Sequence, residues 1–280
     1  MTETVSRGKQ IGSSLLIGAA GGFFGGLMGV GGGFIMVPLM VALLKLRQHL
    51  AHGTSLAIIV PLALAGVIPY LLKQHLDWGL VSILVVGSIV GVVIGAKAMV
   101  RIPARRLRQG FGVLYLLVSA RLLALGTTPL AGAGFKDNVS VEVGIGLGLG
   151  LLAGVLGGLL GIGGGVVLVP GLVLLLGQVQ QGAQGISLAT MAIMGIVGSY
   201  VQNRQELVSW RVTFLATPTA IACSIGGGFL AVHVNADLLS RLFGGLLVFT
   251  GFRLLLVTPK SEQQRAKQAV AATSTERTAP

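Results

Sequence analysis

The sequence is poor in charged residues and nearly free of cysteine. Of its 280 residues, 10% are charged and 53% are hydrophobic, and the mean hydropathy is +0.89. A soluble domain carries about 25% charged residues, so this chain has too few to cover a surface in water. The single cysteine, Cys223, excludes an internal disulfide and a cysteine-rich metal site. These shortages exclude an ordinary soluble protein and favour a protein solvated by lipid.

Acidic residues are scarcer still, at 8 against 20 basic residues, and none lies in the middle of an apolar segment. A proton relay through a buried carboxylate is therefore not expected. The sequence also has no Walker-type phosphate loop, metal cluster or nucleophile triad. We therefore predict a protein that is not an enzyme and needs no cofactor or metal. The basic residues lie mainly in loops and tails, as in cytoplasmic loops of membrane proteins, so no nucleic-acid partner is expected.

What the chain does contain is a series of long apolar segments. A spanning helix needs about 20 apolar residues. The candidate segments are 10–44, 54–72, 79–96, 110–126, 143–177, 185–203, 212–232 and 242–257. The sequence therefore predicts an all-α polytopic membrane protein with about 8 transmembrane segments.

The chain is also an internal duplication with an offset of 132 residues. GVGGGFIMVP at 29–38 recurs as GIGGGVVLVP at 161–170, and AHGTSLA at 51–57 recurs as AQGISLA at 183–189. The offset holds without a gap between these motifs. The sequence therefore predicts two homologous halves, each made of four apolar blocks.

The duplication sets the predicted domain boundaries. They are a cytoplasmic N-terminus at 1–9, a first membrane repeat at 10–126, a periplasmic linker at 127–141, a second membrane repeat at 142–258 and a disordered cytoplasmic tail at 259–280. The first apolar segment has a counterpart in the middle of the chain. We therefore expect it to be part of the fold and not a cleaved signal peptide.

The basic residues favour two halves of opposite orientation. If the first block of each half crosses once, the halves are parallel and the Lys and Arg residues divide almost evenly between the two faces. If that block instead returns as a hairpin bent at its glycines, 15 basic residues lie inside and 3 outside, leaving out Arg121 and Arg253. Loop 97–108 holds five Lys and Arg residues, whereas the matched loop 229–240 holds none. We therefore predict inverted repeats with both termini cytoplasmic, while a full crossing by the first block stays open.

Three consecutive glycines interrupt the first block of each half. They are Gly31, Gly32 and Gly33, and Gly163, Gly164 and Gly165. A break in a membrane helix frees backbone groups, which is tolerated only against protein, water or a ligand. The second arm would then begin with its N-terminus inside the membrane, where free N–H donors and the helix dipole favour an anion. Matched breaks predict a substrate site of a transporter. Close helix packing is the alternative, and it is favoured for glycines four residues apart, such as Gly87, Gly91 and Gly95.

Other residues are candidates for the same site. They are Pro38 and Pro170, Ser55 and Ser187, and Arg121 and Arg253. The prolines are expected to kink the second arms for gating. The serines are expected to donate to an oxyanion, or to bond within their own helices. The arginines would pair with the oxygens of an anion, unless they reach outward to the membrane surface. His52 is expected to be a loop histidine at the membrane interface, with a part in proton coupling as the alternative.

The doubled motif resembles that of a known family. Two copies of G-x-G-G-G-x-x-x-x-P, 132 residues apart, are similar to those of the sulfite exporter TauE/SafE family, and the resemblance covers residues 20–258. It implies a permease of the cell inner membrane for sulfite, sulfoacetate or a related sulfur-containing anion. A non-sulfur organic anion and a passive anion channel remain alternatives. Besides this anion, the expected partners are the lipid bilayer and, as an open question, further copies of the chain.

Overall fold

The described part of the protein, in this computed structural model, is built from helices. It comprises residues 7–73, 76–98, 112–113, 116–117, 119–120 and 139–256. Its helices are α1 (Arg7–Met28), α2 (Gly33–Leu43), α3 (Gln48–Gly66), α4 (Ile68–Leu72), α5 (Trp78–Ala98), α6 (Val139–Leu160), α7 (Gly165–Leu176), α8 (Gln180–Arg204), α9 (Trp210–His233) and α10 (Ala236–Leu256). No residue in these ranges is in a strand. The predicted all-α class is confirmed.

Six of the spans in the described ranges are long and apolar enough to cross a membrane. They are α1, α3 together with α4, α5, α6, α8 and α9. Large apolar side chains point outward from these helices, and Val86 and Phe214 are 60% and 71% exposed. A soluble protein rarely exposes such an apolar surface, so these faces indicate a multi-pass membrane protein. The block 110–126 lies mostly outside the described residues, and the count of about 8 spans stays a prediction.

Each half opens with a helical hairpin that is bent at glycines. The bends contain Gly29, Gly31 and Gly32 in the first half and Gly161, Gly163 and Gly164 in the second, all with φ between 63° and 90°. This left-handed region is open to glycine because it has no Cβ. After the first bend α2 runs back along α1, so that Met36 packs on Gly21. The helix break predicted in each first block is present.

Glycines bring helices of different halves into close contact. The most extensive contacts join α1 to α9 and α5 to α6. Gly87, Gly91 and Gly95 of α5 face Leu147, Leu151 and Val155 of α6, and Gly18, Gly22 and Gly26 of α1 face Ala216, Ala220 and Ser224 of α9. Residue numbers increase in the same direction along both helices of each pair, so the two helices are parallel. Backbone-to-backbone approach of this kind requires small residues, and the packing explanation for Gly87, Gly91 and Gly95 is confirmed.

The matched helices α3 and α8 pack against each other at the centre. Gly66 of α3 faces Leu188 of α8, whereas Val60 faces Gly195 further along. Residue numbers decrease along α3 in the direction in which they increase along α8, so the two helices are antiparallel. Both helices are buried along most of their length. The two helix breaks therefore pack against this buried pair of helices.

Candidate functional site

The two helix breaks lie in direct contact. A Cβ added to Gly33 would lie 2.5 Å from the carbonyl oxygen of Gly161, and one added to Gly165 would lie 2.6 Å from that of Gly29. Both glycine triplets are buried. The structure thus brings together the two triplets predicted to line one site. In this conformation the side chains of Gly33 and Gly165 would begin at positions that are crowded by protein backbone and are not open space.

The two predicted serines connect the halves through these breaks. Ser55 Oγ donates to the carbonyl oxygen of Gly161 at 2.6 Å, and Ser187 Oγ donates to that of Gly29 at 2.8 Å. Each serine therefore bonds to the break of the other half and not to its own helix. A hydroxyl has one proton to donate. In this conformation that proton is used on a carbonyl, so a serine would have to release its break before donating to an anion.

One carbonyl group freed at the end of each first arm accepts a hydrogen bond from a side chain. Gly26 O accepts a hydrogen bond from Tyr70 Oη at 2.8 Å. At the matched position in the second half, Gly158 O accepts from Gln202 Nε2 at 3.2 Å. Sequence reasoning missed this pair because the two side chains differ. The available signal was that both are polar and that their numbers differ by the same 132 residues as the repeats.

The N-termini of the second arms, by contrast, have donors without acceptors. Gly32 and Gly164 are the N-caps of α2 and α7, and neither provides a side-chain cap. The first N–H groups of these helices to reach an acceptor are those of Ile35 and Val167, each at 3.0 Å. Hence the N–H groups of the first two residues in each helix donate to no described residue. A helix N-terminus also carries a partial positive charge, so the start of each second arm offers free donors that suit an anion.

Two matched rows of side chains face the breaks from α3 and α8. His52, Ser55 and Ile59 contact the second-half break, and Gln184, Ser187 and Met191 contact the first-half break. These spacings place each row on one face of its helix. Ile59 and Met191 each lie against glycines of both breaks. His52 is 7% exposed and lies within α3, so its expected place in an interfacial loop is wrong.

Comparison with known proteins decides which family this architecture represents. The profile described as sulfite exporter TauE/SafE matches residues 2–122 and 146–278. The chain belongs to the TauE/SafE family. The match covers both halves, and the resemblance inferred from the doubled motif is confirmed.

Curated relatives of this TauE/SafE chain are described as transporters. A probable membrane transporter protein of Xylella fastidiosa is 28% identical over 237 residues, which cover 83% of this chain and 90% of the relative. The probable membrane transporter protein YunE of Bacillus subtilis is 26% identical over 247 residues, covering 81% and 89%. One of Methanocaldococcus jannaschii is 23% identical over 219 residues, covering 75% and 80%. No solved structure matches the chain. Family and relatives indicate a membrane transporter and not an enzyme.

Of the remaining site candidates of this TauE/SafE protein, the structure places the two prolines. Pro38 lies within α2 and Pro170 within α7, each inside the second arm as expected. Arg121 lies outside the described residues. Arg253 belongs to α10, but its side chain is outside the described part. The roles of these residues in gating and in anion binding stay predictions.

Proposed function

We propose that this protein is a secondary transporter of a small anion, with sulfite and the organosulfonates as the first candidates. The observation that carries the proposal is that both second arms begin at the breaks with N–H groups that have no acceptor among the described residues. Gly26 and Gly29 have donors for their carbonyl oxygens, whereas the first N–H groups of α2 have no acceptor among the described residues. The second half repeats this pattern. A ligand that completes such a site must accept hydrogen bonds, as the oxygens of an oxyanion do.

We infer that the site lies near the middle of the membrane. α2 has 11 residues, and at about 1.5 Å per residue it is roughly 16 Å long, half of a hydrocarbon core of about 30 Å. A second arm of this length would reach from one face of the membrane to its middle. Binding sites at broken helices near the midplane are typical of transporters with repeats.

We infer further that the two halves are inverted repeats in the cell inner membrane. The antiparallel packing of α3 on α8, which are matched helices, supports a pseudo-two-fold axis in the membrane plane. The basic loops support cytoplasmic termini. Reporter fusions placed after Leu130 and after Pro280 should then report opposite sides of the membrane. If both report the same side, the inverted arrangement is wrong.

Alternating access would then consist of one helix bundle rocking against the other around the breaks. In the present conformation the breaks touch and their glycines are buried, which fits an occluded carrier better than an open pore. Substrate binding would require the contact between Gly33 and Gly161, and its counterpart in the other half, to open.

The decisive experiment is anion flux in proteoliposomes. Sulfite, sulfoacetate, thiosulfate, sulfate and chloride are compared, with and without a pH gradient. A carrier gives saturable flux that the same anion accelerates from the far side, whereas a channel gives no such acceleration. Gly32→Leu and Gly164→Leu should abolish flux while the protein stays in the membrane. Gly226→Leu is the control, because no atom lies within 4 Å of a Cβ there. Unchanged flux in Gly32→Leu and Gly164→Leu would refute the site assignment.

A further inference from the structure

His52 is the only buried side chain of Asp, Glu, Lys, Arg or His type among the side chains that the structure describes. It is 7% exposed, whereas the described histidines His49 and His233 are exposed. Residues of these types are seldom buried without a partner. Histidine is also the type of side chain that gains and loses a proton near neutral pH, so its burial in a transporter requires an explanation.

His52 lies against the second-half break. A Cβ on Gly161 would be 2.6 Å from His52 Cα and 2.8 Å from His52 Cβ. The carbonyl oxygen of the same glycine lies against Gly33, the first residue of α2, and accepts the hydrogen bond from Ser55. One residue, Gly161, therefore contacts both the histidine and the place where the two breaks meet. A charge on His52 would lie close to the contact that has to open for substrate.

One ring nitrogen of His52 is able to take a proton without losing a hydrogen bond. The ring hydrogen-bonds to the backbone of Leu160, the last residue of α6, and Nδ1 has no partner among the described residues. A neutral imidazole has one N–H donor and one nitrogen with a free lone pair. The bond to the Leu160 carbonyl uses the donor, so the lone pair is on the unpartnered nitrogen. A ring flip exchanges the two nitrogens and leaves the same count.

No described acidic side chain is buried beside His52 to neutralise its protonated form. The segments 161–164, α2 and α7 contain no charged residue. The charged or titratable residues on the other elements around it are all exposed; they are His49, Lys97, Arg204 and Glu206. Of these, His49 interacts electrostatically with His52, and it would add a like charge. Burying an unpaired charge is costly, so His52 is neutral in this conformation.

We propose that His52 carries the proton that couples anion transport to a proton gradient. Nδ1 takes up a proton from one side of the membrane and releases it on the other, and no other bond forms or breaks. A proton on His52 and an anion between the separated breaks attract each other, so each binds more tightly when the other is present. They therefore cross together, and the empty carrier returns with a neutral imidazole. The inference rests on the proposed anion transport.

The first half has no equivalent of this group. Gln184 occupies the position that matches His52 in the repeat, and its amide does not take up a proton at these pH values. The two halves are therefore unequal in this respect, and one proton is carried for each turn of the carrier. The same difference supplies the substitution for the test, because His52→Gln gives the second half the side chain that the first half already has.

The test counts protons in anion binding to the full-length protein in detergent. Sulfoacetate and sulfate are the probes, because both stay ionised above about pH 5.5 and any pH dependence then belongs to the protein. Calorimetry in two buffers of different ionisation enthalpy gives the number of protons taken up. In the wild type, binding should take up protons. The Kd should weaken as the pH rises from about 5.5 to 8, by up to tenfold per pH unit.

His52→Gln should separate anion exchange from proton coupling. Its Kd should be independent of pH, and binding should take up no proton. In proteoliposomes an imposed pH gradient should drive accumulation of the anion by the wild type. The variant should still exchange external for internal anion but should not accumulate it. A merely structural role of His52 would instead lower exchange and accumulation by the same factor.

His49→Gln is the matched control. His49 is exposed, lies one turn earlier on α3 and matches Gln181 in the second half. This variant should keep both the proton uptake and the accumulation. If His52→Gln does not fold, His52→Asn repeats the test with a shorter amide.

Two results would overturn the inference while anion transport stands. One is a wild-type Kd that does not change with pH and binding that takes up no proton, a measurement that needs no variant. The other is proton uptake that persists in His52→Gln. A wild-type protein that neither binds nor transports any tested oxyanion would instead refute the proposed function itself.

Discussion

Glycine substitutions on α6 test the close packing of α5 on α6. Gly148 and Gly154 lie on the same helix, but only Gly154 faces a neighbouring backbone. A Cβ at Gly154 would lie 2.8 Å from Val92 N and 2.9 Å from Ser88 Cα, whereas nothing lies within 4 Å of one at Gly148. Gly154→Ala and Gly148→Ala therefore make the same chemical change in two different surroundings.

The expected magnitudes follow from these distances. Alanine is favoured over glycine in a helix by about 1 kcal/mol, so Gly148→Ala should stabilise the protein slightly or leave it unchanged. At Gly154 the new methyl group needs ordinary contact near 3.4 Å, so Val92 N at 2.8 Å is 0.6 Å too close and Ser88 O is closer still. Backbone cannot rotate away as a side chain can. A gap of about 0.5–1 Å loses a quarter to a half of each van der Waals contact, so Gly154→Ala should destabilise by roughly 3 kcal/mol.

The measurement is thermal or SDS-induced unfolding of the purified variants in one detergent. Gly154→Ala should unfold well before the wild type, and Gly148→Ala should not. Equal stabilities for the two variants would refute the reasoning, because they would show that α5 and α6 do not approach at Gly154. A large loss at Gly148 would point to an unrecognised contact on that face.

Three further predictions concern side chains that contact the helix breaks. Ser187→Ala leaves the buried carbonyl of Gly29 without a donor and should cost about 1–3 kcal/mol in unfolding free energy, while Ser187→Thr should restore part of it. Tyr70→Phe leaves Gly26 O unpaired and should cost about the same, measured in the same denaturation assay. Met191→Ala empties space between the two breaks and should cost about 2–5 kcal/mol. In a competition flux assay it should also favour larger organosulfonates over sulfite, and an unchanged preference would place the substrate elsewhere.

Much of the fold could be predicted from the sequence because the deciding signals are local or periodic. Low charge and long apolar segments indicate helices in lipid. Only a backbone whose N–H and C=O groups bond to one another can span a membrane. Three consecutive glycines mark a left-handed turn that other residues rarely adopt, and the breaks occur where these glycines predict them. The spacing of Gly87, Gly91 and Gly95 predicted close packing, and it is observed.

The partners across the halves could not be predicted, because spacing along one helix does not say which helix it faces. Gly91 was expected to pack closely, but only the structure shows that α6 lies against it. Ser55 and Ser187 were identified as a matched pair, yet each bonds to the other half's break. Tyr70 and Gln202 were missed, because two different side chains at matched positions give no signal until both are seen on carbonyl groups of the first arms.

The pattern of contacts bears on which parts move during transport. If each repeat moved as a rigid body, the most extensive helix contacts would lie within the repeats. The most extensive contacts instead join α1 to α9 and α6 to α5, one helix from each repeat in both pairs. These pairs meet backbone to backbone through glycines, and close-packed interfaces resist gradual separation. The contact between the breaks also brings backbone together at Gly33 and Gly165, but beyond these glycines it depends on two serine hydrogen bonds and the side chains of Ile59 and Met191. The bodies that rock are therefore expected to be these mixed pairs, with the breaks as the contact that opens.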